Sequence, residues 1–156
     1  TIRTFNFQMK KNMLVARISN PYGPGQDYHK GVGFIDAAIK RSLHHETIEI
    51  WGDGNIIRDY IFIDDVCKML YSLIDYHGDI EVFNLSSNTG TSQNDVINIL
   101  NKIIPHVQVK YLPARPVDAK KIVLDNTRIQ SICNLQMVSL EDGIRRYYDY
   151  IQQRKQ

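Results

Sequence analysis

Short apolar runs alternate along the chain with longer segments whose apolar residues recur at helical spacing. That alternation most constrains what the chain can fold into. Met13 to Ile18 is a run of strand length bounded by polar and turn residues, and it reads as a buried strand. Asn20-Pro-Tyr-Gly-Pro-Gly25 is dense in turn formers and reads as a loop. Gly33 to Leu43 carries Phe34, Ile35, Ala38, Ile39 and Leu43 at helical spacing. A strand is expected over Thr47 to Trp51, a turn over Gly52 to Asn55, and a second short apolar run over Tyr60 to Ile63. Asp64-Asp65 is placed to cap a helix through Val66, Leu70, Leu73 and Ile74.

The second half repeats the pattern. Glu81 to Leu85 reads as a strand, and Ser92-x-x-Asp95 has the form of a capping box for a helix bearing Val96, Leu100 and Ile103. Gln108 to Leu112 alternates like an exposed strand. Asp125-Asn-Thr opens a short helix, and Ser139-x-x-Asp142 opens a last amphipathic one with Ile144, Tyr147, Tyr148 and Ile151. Strands interleaved with helices define an α/β architecture, for which a central parallel sheet is expected. Thr1 to Lys11 reads as the tail of an amphipathic helix without a cap, which points to a piece of a longer protein.

Composition removes several function classes. Nineteen basic and seventeen acidic residues are interspersed and leave a net charge of +2, which is no general nucleic-acid surface. No apolar run approaches a membrane span and no signal-peptide pattern opens the chain. The two cysteines, Cys67 and Cys133, form neither a CxxC pair nor a zinc pattern. Cys67 lies in an apolar stretch and reads as a buried core thiol, and a reducing, cytoplasmic location is expected.

Self-sufficient catalytic constellations are missing. The sequence holds no HExxH, GxSxG, P-loop or G-x-G-x-x-G, and none of its nine tyrosines has a lysine four positions later. What remains is a string of polar motifs. Ser19-Asn20-Pro21-Tyr22-Gly23-Pro24 follows a strand directly, where open α/β folds place ligands. Asn20 can offer an amide donor to a phosphate or hold its own turn. Arg58, in Arg58-Asp59-Tyr60, can bind a diphosphate through its planar fork or pair with Asp59 or Asp64. Arg115 and Asp118, in Arg115-Pro-Val-Asp118, can meet a phosphate and a ribose or sugar hydroxyl, or lie in a solvated loop. Asn84 reads as a turn former.

Taken in order, these segments resemble the extended short-chain dehydrogenase/reductase family of NAD-dependent epimerases and dehydratases, and within it the UDP-glucose 4-epimerases. The matching stretches are Arg17-Ile-Ser-Asn-Pro-Tyr-Gly-Pro24, Ile50-Trp-Gly-Asp-Gly54 and Arg58-Asp-Tyr-Ile-Phe-Ile-Asp-Asp-Val66. They continue with Phe83-Asn-Leu85, Arg115-Pro-Val-Asp118 and Ser139-Leu-Glu-Asp-Gly143, over nearly the whole chain.

The resemblance implies a Rossmann-type α/β fold with a small α/β substrate-binding domain. Residues 12–22 and 60–88 would complete the Rossmann sheet, and 23–59 with 89–156 would form the nucleotide-sugar subdomain. It implies that Asn20, Arg58 and Arg115 contact the diphosphate of a UDP-sugar, that Asp118 contacts the ribose and that Tyr60 lines the nucleotide pocket. Ser19 and Pro21 would face NAD, which is held mainly by a preceding glycine-rich domain. In the full enzyme, a homodimer by resemblance, hydride leaves and returns to sugar C4.

The chain departs from the family pattern at Ser19, where many epimerases have Phe and where a Ser-Asn pair occurs among dehydratases. It departs again at Gly25, in place of a frequent Arg, and in Gly31-Val-Gly-Phe-Ile, which lacks a common proline. A dTDP-sugar 4,6-dehydratase is therefore the second enzymatic reading, beside a non-catalytic nucleotide-sugar-binding module and a purely structural domain. Because the Tyr-x-x-x-Lys pair and the cofactor loop precede the matching region in the family, the isolated chain is expected to turn over no UDP-sugar with added NAD. A coupled epimerase assay on the purified polypeptide checks this.

Overall fold

The computed structural model describes residues 1–26, 33–114 and 119–154. The elements run α1 (Ile2–Met9), β1 (Val15–Ile18), β2 (Asn20–Tyr22), α2 (Phe34–Leu43), β3 (Ile48–Trp51), β4 (Ile57–Phe62) and α3 (Ile63–Ser72). They continue with β5 (Val82–Leu85), β6 (Gly90–Ser92), α4 (Gln93–Ile103), β7 (Val109–Leu112), β8 (Lys121–Ile122), α5 (Thr127–Cys133) and α6 (Leu140–Arg154). Helices and strands interleave, as the hydrophobic pattern requires.

The strands pair in three small groups. β1 pairs with β5 and β3 with β7, both parallel. β4 is the hub of the third: its C-terminal half pairs parallel with β2, and its N-terminal half lies between antiparallel β6 and parallel β8. Because side chains alternate across a strand, β4 presents two faces. Tyr60 and Phe62 enter one apolar core, with Ile35, Ile39, Ile50, Leu100, Ile144 and Tyr147. Ile61 enters a second core with Val66, Met69, Phe83, Leu85 and Ile129.

Local signals explain the helix starts. Ser92 Oγ accepts from the Asp95 amide at 3.0 Å while Asp95 Oδ2 accepts from the Ser92 amide at 3.0 Å, a complete capping box for α4. Ser139 Oγ accepts from the Asp142 amide at 3.1 Å at the start of α6, a side-chain cap without the reciprocal bond. α1 carries a cap as well, since the Thr1 side chain accepts from the Thr4 amide at 3.4 Å, contrary to the expected uncapped start.

Four other local readings are corrected. β1 is not buried: Ala16, Arg17 and Ile18 are exposed, because β1 pairs with β5 alone and no described element covers its other edge. Asn20 to Tyr22 is a strand rather than loop. Pro21 is tolerated there because, among the described residues, β2 is an edge strand paired with β4. Asp64 and Asp65 lie in the first turn of α3 instead of capping it, since the N-cap is Phe62 without a side-chain bond. Asp65 is buried and accepts from the Val138 amide at 2.8 Å. Cys67 is exposed, because α3 turns Val66, Met69 and Leu73 inward and Cys67 falls one step round the helix.

α6 closes the first core by close approach. A Cβ on Gly143 would overlap Tyr22 Oη and stand 3.2 Å from Phe62 Cδ2, so only a glycine lets the helix sit against β2 and β4. Gly143→Ala is therefore expected to destabilise the protein by about 1–3 kcal/mol through overpacking. Adding Tyr22→Phe, which removes the overlapped oxygen, should recover part of that loss. Denaturant unfolding of the single and double variants measures both.

Candidate functional site

β4 also organises the candidate site, since Arg58 and Tyr60 share the face on which the first core lies. A cleft of about 230 Å³ opens beside them, and Asn20 and Pro21 of β2 line its other wall. Asn20 is paired in register with Tyr60, so these residues meet because two distant segments pair as parallel strands. Three residues expected at a ligand, Asn20, Arg58 and Tyr60, thus border one cleft, as does Pro21. Arg115 and Asp118 lie outside the described residues.

Arg58 is held by two carbonyls. Its Nη1 donates to Ile57 O at 2.9 Å and to Ala119 O at 2.8 Å. Its remaining N–H donors, on Nε and Nη2, have no partner among the described residues. The ion pair with Asp59 or Asp64 that the motif allowed is not formed. Alternation along β4 sends Asp59 to the opposite face, and Asp64 stands exposed on α3.

Asp59 is fully buried and serves a different purpose. Its Oδ1 accepts from the Ser87 amide at 2.9 Å, from Ser87 Oγ at 2.7 Å and from Ser19 Oγ at 3.3 Å. Its Oδ2 accepts from the Leu124 amide at 3.2 Å, and its backbone carbonyl accepts from Asn20 Nδ2 at 2.9 Å. Ser19 is therefore a tie between β1 and β4, with its amide also donating to Leu85 O at 3.0 Å. Asn20 commits one amide hydrogen to this anchor. Asn84 likewise ties two strands of chain, donating to Asp125 O at 2.8 Å.

Burial pushes the Tyr60 phenol up to about 12, against an opposing pull from the Arg58 guanidinium, so Tyr60 stays protonated at neutral pH. Burial, reinforced by Asp65, raises Tyr22 as well. Neither phenol has the depressed pKa that a general base needs. Phe34, Asp36, Ile56 and Gln93 also line the cleft. Asp36 is buried, paired with Lys40 Nζ at 2.9 Å and accepting from the Tyr147 hydroxyl, so its charge is compensated inside the protein. Sequence reading missed Gln93, Ile56 and Asp36 as lining residues, because helical periodicity alone does not show which residue of a turn faces a cleft. A second, shallower hollow of about 390 Å³ adjoins the first across Pro21, Tyr22 and Gln26 and extends to Gly23 and Ile63. No group of residues able to hold a metal ion occurs among the described residues.

Comparison with known proteins makes the family of this α/β chain explicit. The chain belongs to the NAD dependent epimerase/dehydratase family, whose model matches residues 2–86. It is 29% identical over 140 residues to the UDP-glucose 4-epimerase of Mycolicibacterium smegmatis, covering 88% of this chain and 45% of that protein. It is 25% identical over 147 residues to an Escherichia coli dTDP-glucose 4,6-dehydratase, covering 88% of this chain and 40% of that one. The crystal structure of Thermotoga maritima UDP-glucose 4-epimerase with UDP-glucose superposes with a TM-score of 0.89 at 31% identity, over 99% of this chain and 50% of that one. The chain thus spans about half the length of these relatives. The expected α/β, Rossmann-type fold class is that of its structural neighbours.

Asp59 carries the geometry of the cleft, and Asp59→Asn tests it. The substitution turns an amide N–H toward a ring of donors and leaves at least one of them unpaired, at about 1–3 kcal/mol for each. Loss of at least about 2 kcal/mol is expected in denaturant unfolding. Ser87→Ala should cost less, because the Ser87 amide still reaches the carboxylate.

Proposed function

We propose that this chain is the nucleotide-sugar-binding part of an NAD-dependent 4-epimerase acting on a UDP-sugar. The observation that carries the reading is the meeting of Asn20, Arg58 and Tyr60 at one cleft, with Arg58 braced by two carbonyls and its other donors without a partner among the described residues. A guanidinium fixed in that way is pre-organised for two oxygens of a diphosphate. Arg115 and Asp118 are proposed to add a second phosphate contact and a ribose contact. Residues 12–22 and 60–88 are assigned to the sheet of the cofactor domain, and 23–59 with 89–156 to the sugar-nucleotide side. The open edge of β1 supports that division, since its unpaired backbone groups suit a sheet that continues.

NAD supplies the hydride acceptor in this family's reaction. The residues present fit only part of its site: Ser19 is committed to Asp59, Pro21 lines both hollows, and the sequence holds no G-x-G-x-x-G. The chain's own residues bind and orient the nucleotide sugar, and the proton-abstracting group lies elsewhere in the enzyme. The proposed assembly is a cytoplasmic homodimer. A dTDP-sugar 4,6-dehydratase is the second reading, supported by the Ser19-Asn20 pair and by the Escherichia coli relative.

Replacing Arg58 by Ala should weaken UDP affinity about ten- to a hundredfold, the worth of one or two charge-assisted hydrogen bonds. Lys should recover only part, because it lacks the planar fork. The bonds from Arg58 to Ile57 and Ala119 also brace β4, so a modest fall in melting temperature accompanies the loss. Calorimetric titration of UDP into folded protein, with a melting curve alongside, reads both. Unchanged UDP affinity in the folded variant would make Arg58 a structural residue and sink the assignment.

A further inference from the structure

We infer that Lys40 is an affinity-determining residue that acts through Asp36: it cancels a buried negative charge at the wall of the cleft that would otherwise repel a diphosphate. This rests on the nucleotide-sugar reading above. Asp36 lines the cleft with Asn20 and Arg58, from the first turn of α2. Asp36 and Arg58 are the charged residues of that lining among the described residues. The Asp36 side chain is fully buried, and Lys40 Nζ stands 2.9 Å from its Oδ2, one turn further along the helix. Lys40 itself is not among the lining residues, and its side chain is only 12% exposed.

The protein compensates Asp36 differently from Asp59. Asp59 is surrounded by amides and hydroxyls that donate to both of its oxygens. Asp36 accepts from the Tyr147 hydroxyl at Oδ1, and Oδ2 makes no directed hydrogen bond among the described residues. The balance of its charge therefore rests on the ammonium of Lys40, acting as a point charge. An acid in the first turn suits the N-terminus of α2, and its bond to Tyr147 ties α2 to α6. Those benefits to packing place a carboxylate at a cleft whose other charge is the guanidinium meant for an anion. With Lys40 in place, the pair is neutral and Arg58 sets the sign that a ligand meets. Without it, the carboxylate offsets Arg58, and a wall withdrawn from water screens the repulsion poorly.

The test is calorimetric titration of UMP and UDP into the wild-type protein and the Lys40→Met, Lys40→Arg, Asp36→Asn and Asp36→Asn/Lys40→Met variants, with a melting curve for each. Lys40→Met should weaken UDP binding about tenfold, the effect of one uncompensated unit charge at an effective dielectric of about 20. UMP carries less charge and should lose less. Lys40→Arg should bind as the wild type does, and the double variant should regain wild-type affinity because no charge is left uncovered. Asp36→Asn alone should bind UDP more tightly than the wild type, which covers the case in which Lys40→Met fails to fold. A folded Lys40→Met protein with wild-type UDP affinity, equal losses for UMP and UDP, or a double variant that stays weak would overturn the role of Lys40 and leave the Arg58 site standing. So would an Asp36→Asn variant no tighter than the wild type. A wild type that binds neither UMP nor UDP would overturn the nucleotide-sugar reading itself, and this inference with it.

Discussion

The buried carboxylate of Asp59 joins four parts of the chain that are otherwise far apart. Ser19 follows β1, Ser87 follows β5, Leu124 follows β8, and Asp59 itself lies in β4. A buried carboxylate is tolerated only when donors surround it, and here hydroxyls and amides of the described residues supply them. The consequence is directional. With Asp59 drawn to one side of β4, strand alternation sends Arg58 and Tyr60 to the other, where the cleft lies. The bond from Asn20 to the Asp59 carbonyl then fixes β2 against β4 at the register that brings Asn20 opposite Tyr60.

The two apolar cores follow from the same strand. Ile61 packs with α3, β5 and α5, while Tyr60 and Phe62 pack with α2, α4 and α6. A one-residue slip of β4 would bury Arg58 and Tyr60 where Asp59 and Ile61 now sit, and would expose the apolar face of each core. The register is therefore specified three times over, by the two cores and by Asp59. The binding residues need no separate device to hold them in place.

Much of this was legible where a signal is local. The capping box at Ser92, the side-chain cap at Ser139, the helical stripe from Phe34 to Leu43 and the alternation of Ile48 and Ile50 depend on neighbours within a turn or two. Each forms as its residues predict. The readings that failed depend on tertiary partners. Nothing near Met13 to Ile18 tells that β1 has one neighbour, and nothing near Cys67 tells which side of α3 meets the core. At the site, motif order pointed to Asn20, Arg58 and Tyr60, which do converge. The alternative ion pair of Arg58 with Asp59 does not form, because an adjacent Arg-Asp pair on a strand faces opposite ways. Asp59 and Gln93 stayed hidden, since their roles arise from residues 28 to 65 positions away in one case and from a cleft in the other.

The turn before β4 shows why the cleft keeps its shape on the side away from Asp59. Gly54 has φ +75, and a Cβ there would overlap the side chain of Asn94. The close approach lets Asn94 Nδ2 donate to Asp53 O at 3.0 Å and to Asn55 Oδ1 at 3.2 Å, while the Asn94 amide donates to Gly54 O at 3.1 Å. Tyr111 of β7 adds its hydroxyl to Asn94 Oδ1 at 2.9 Å. The start of α4 is thereby tied to the turn that leads into Arg58. Asp59 anchors one side of β4 through chain-distant donors, and Asn94 anchors the approach to it through a glycine turn. Between them they hold Asn20, Arg58 and Gln93 at one cleft before any ligand arrives. Ordering entropy that a loose site would lose on binding is then already lost on folding, so polar contacts to a nucleotide can appear in affinity.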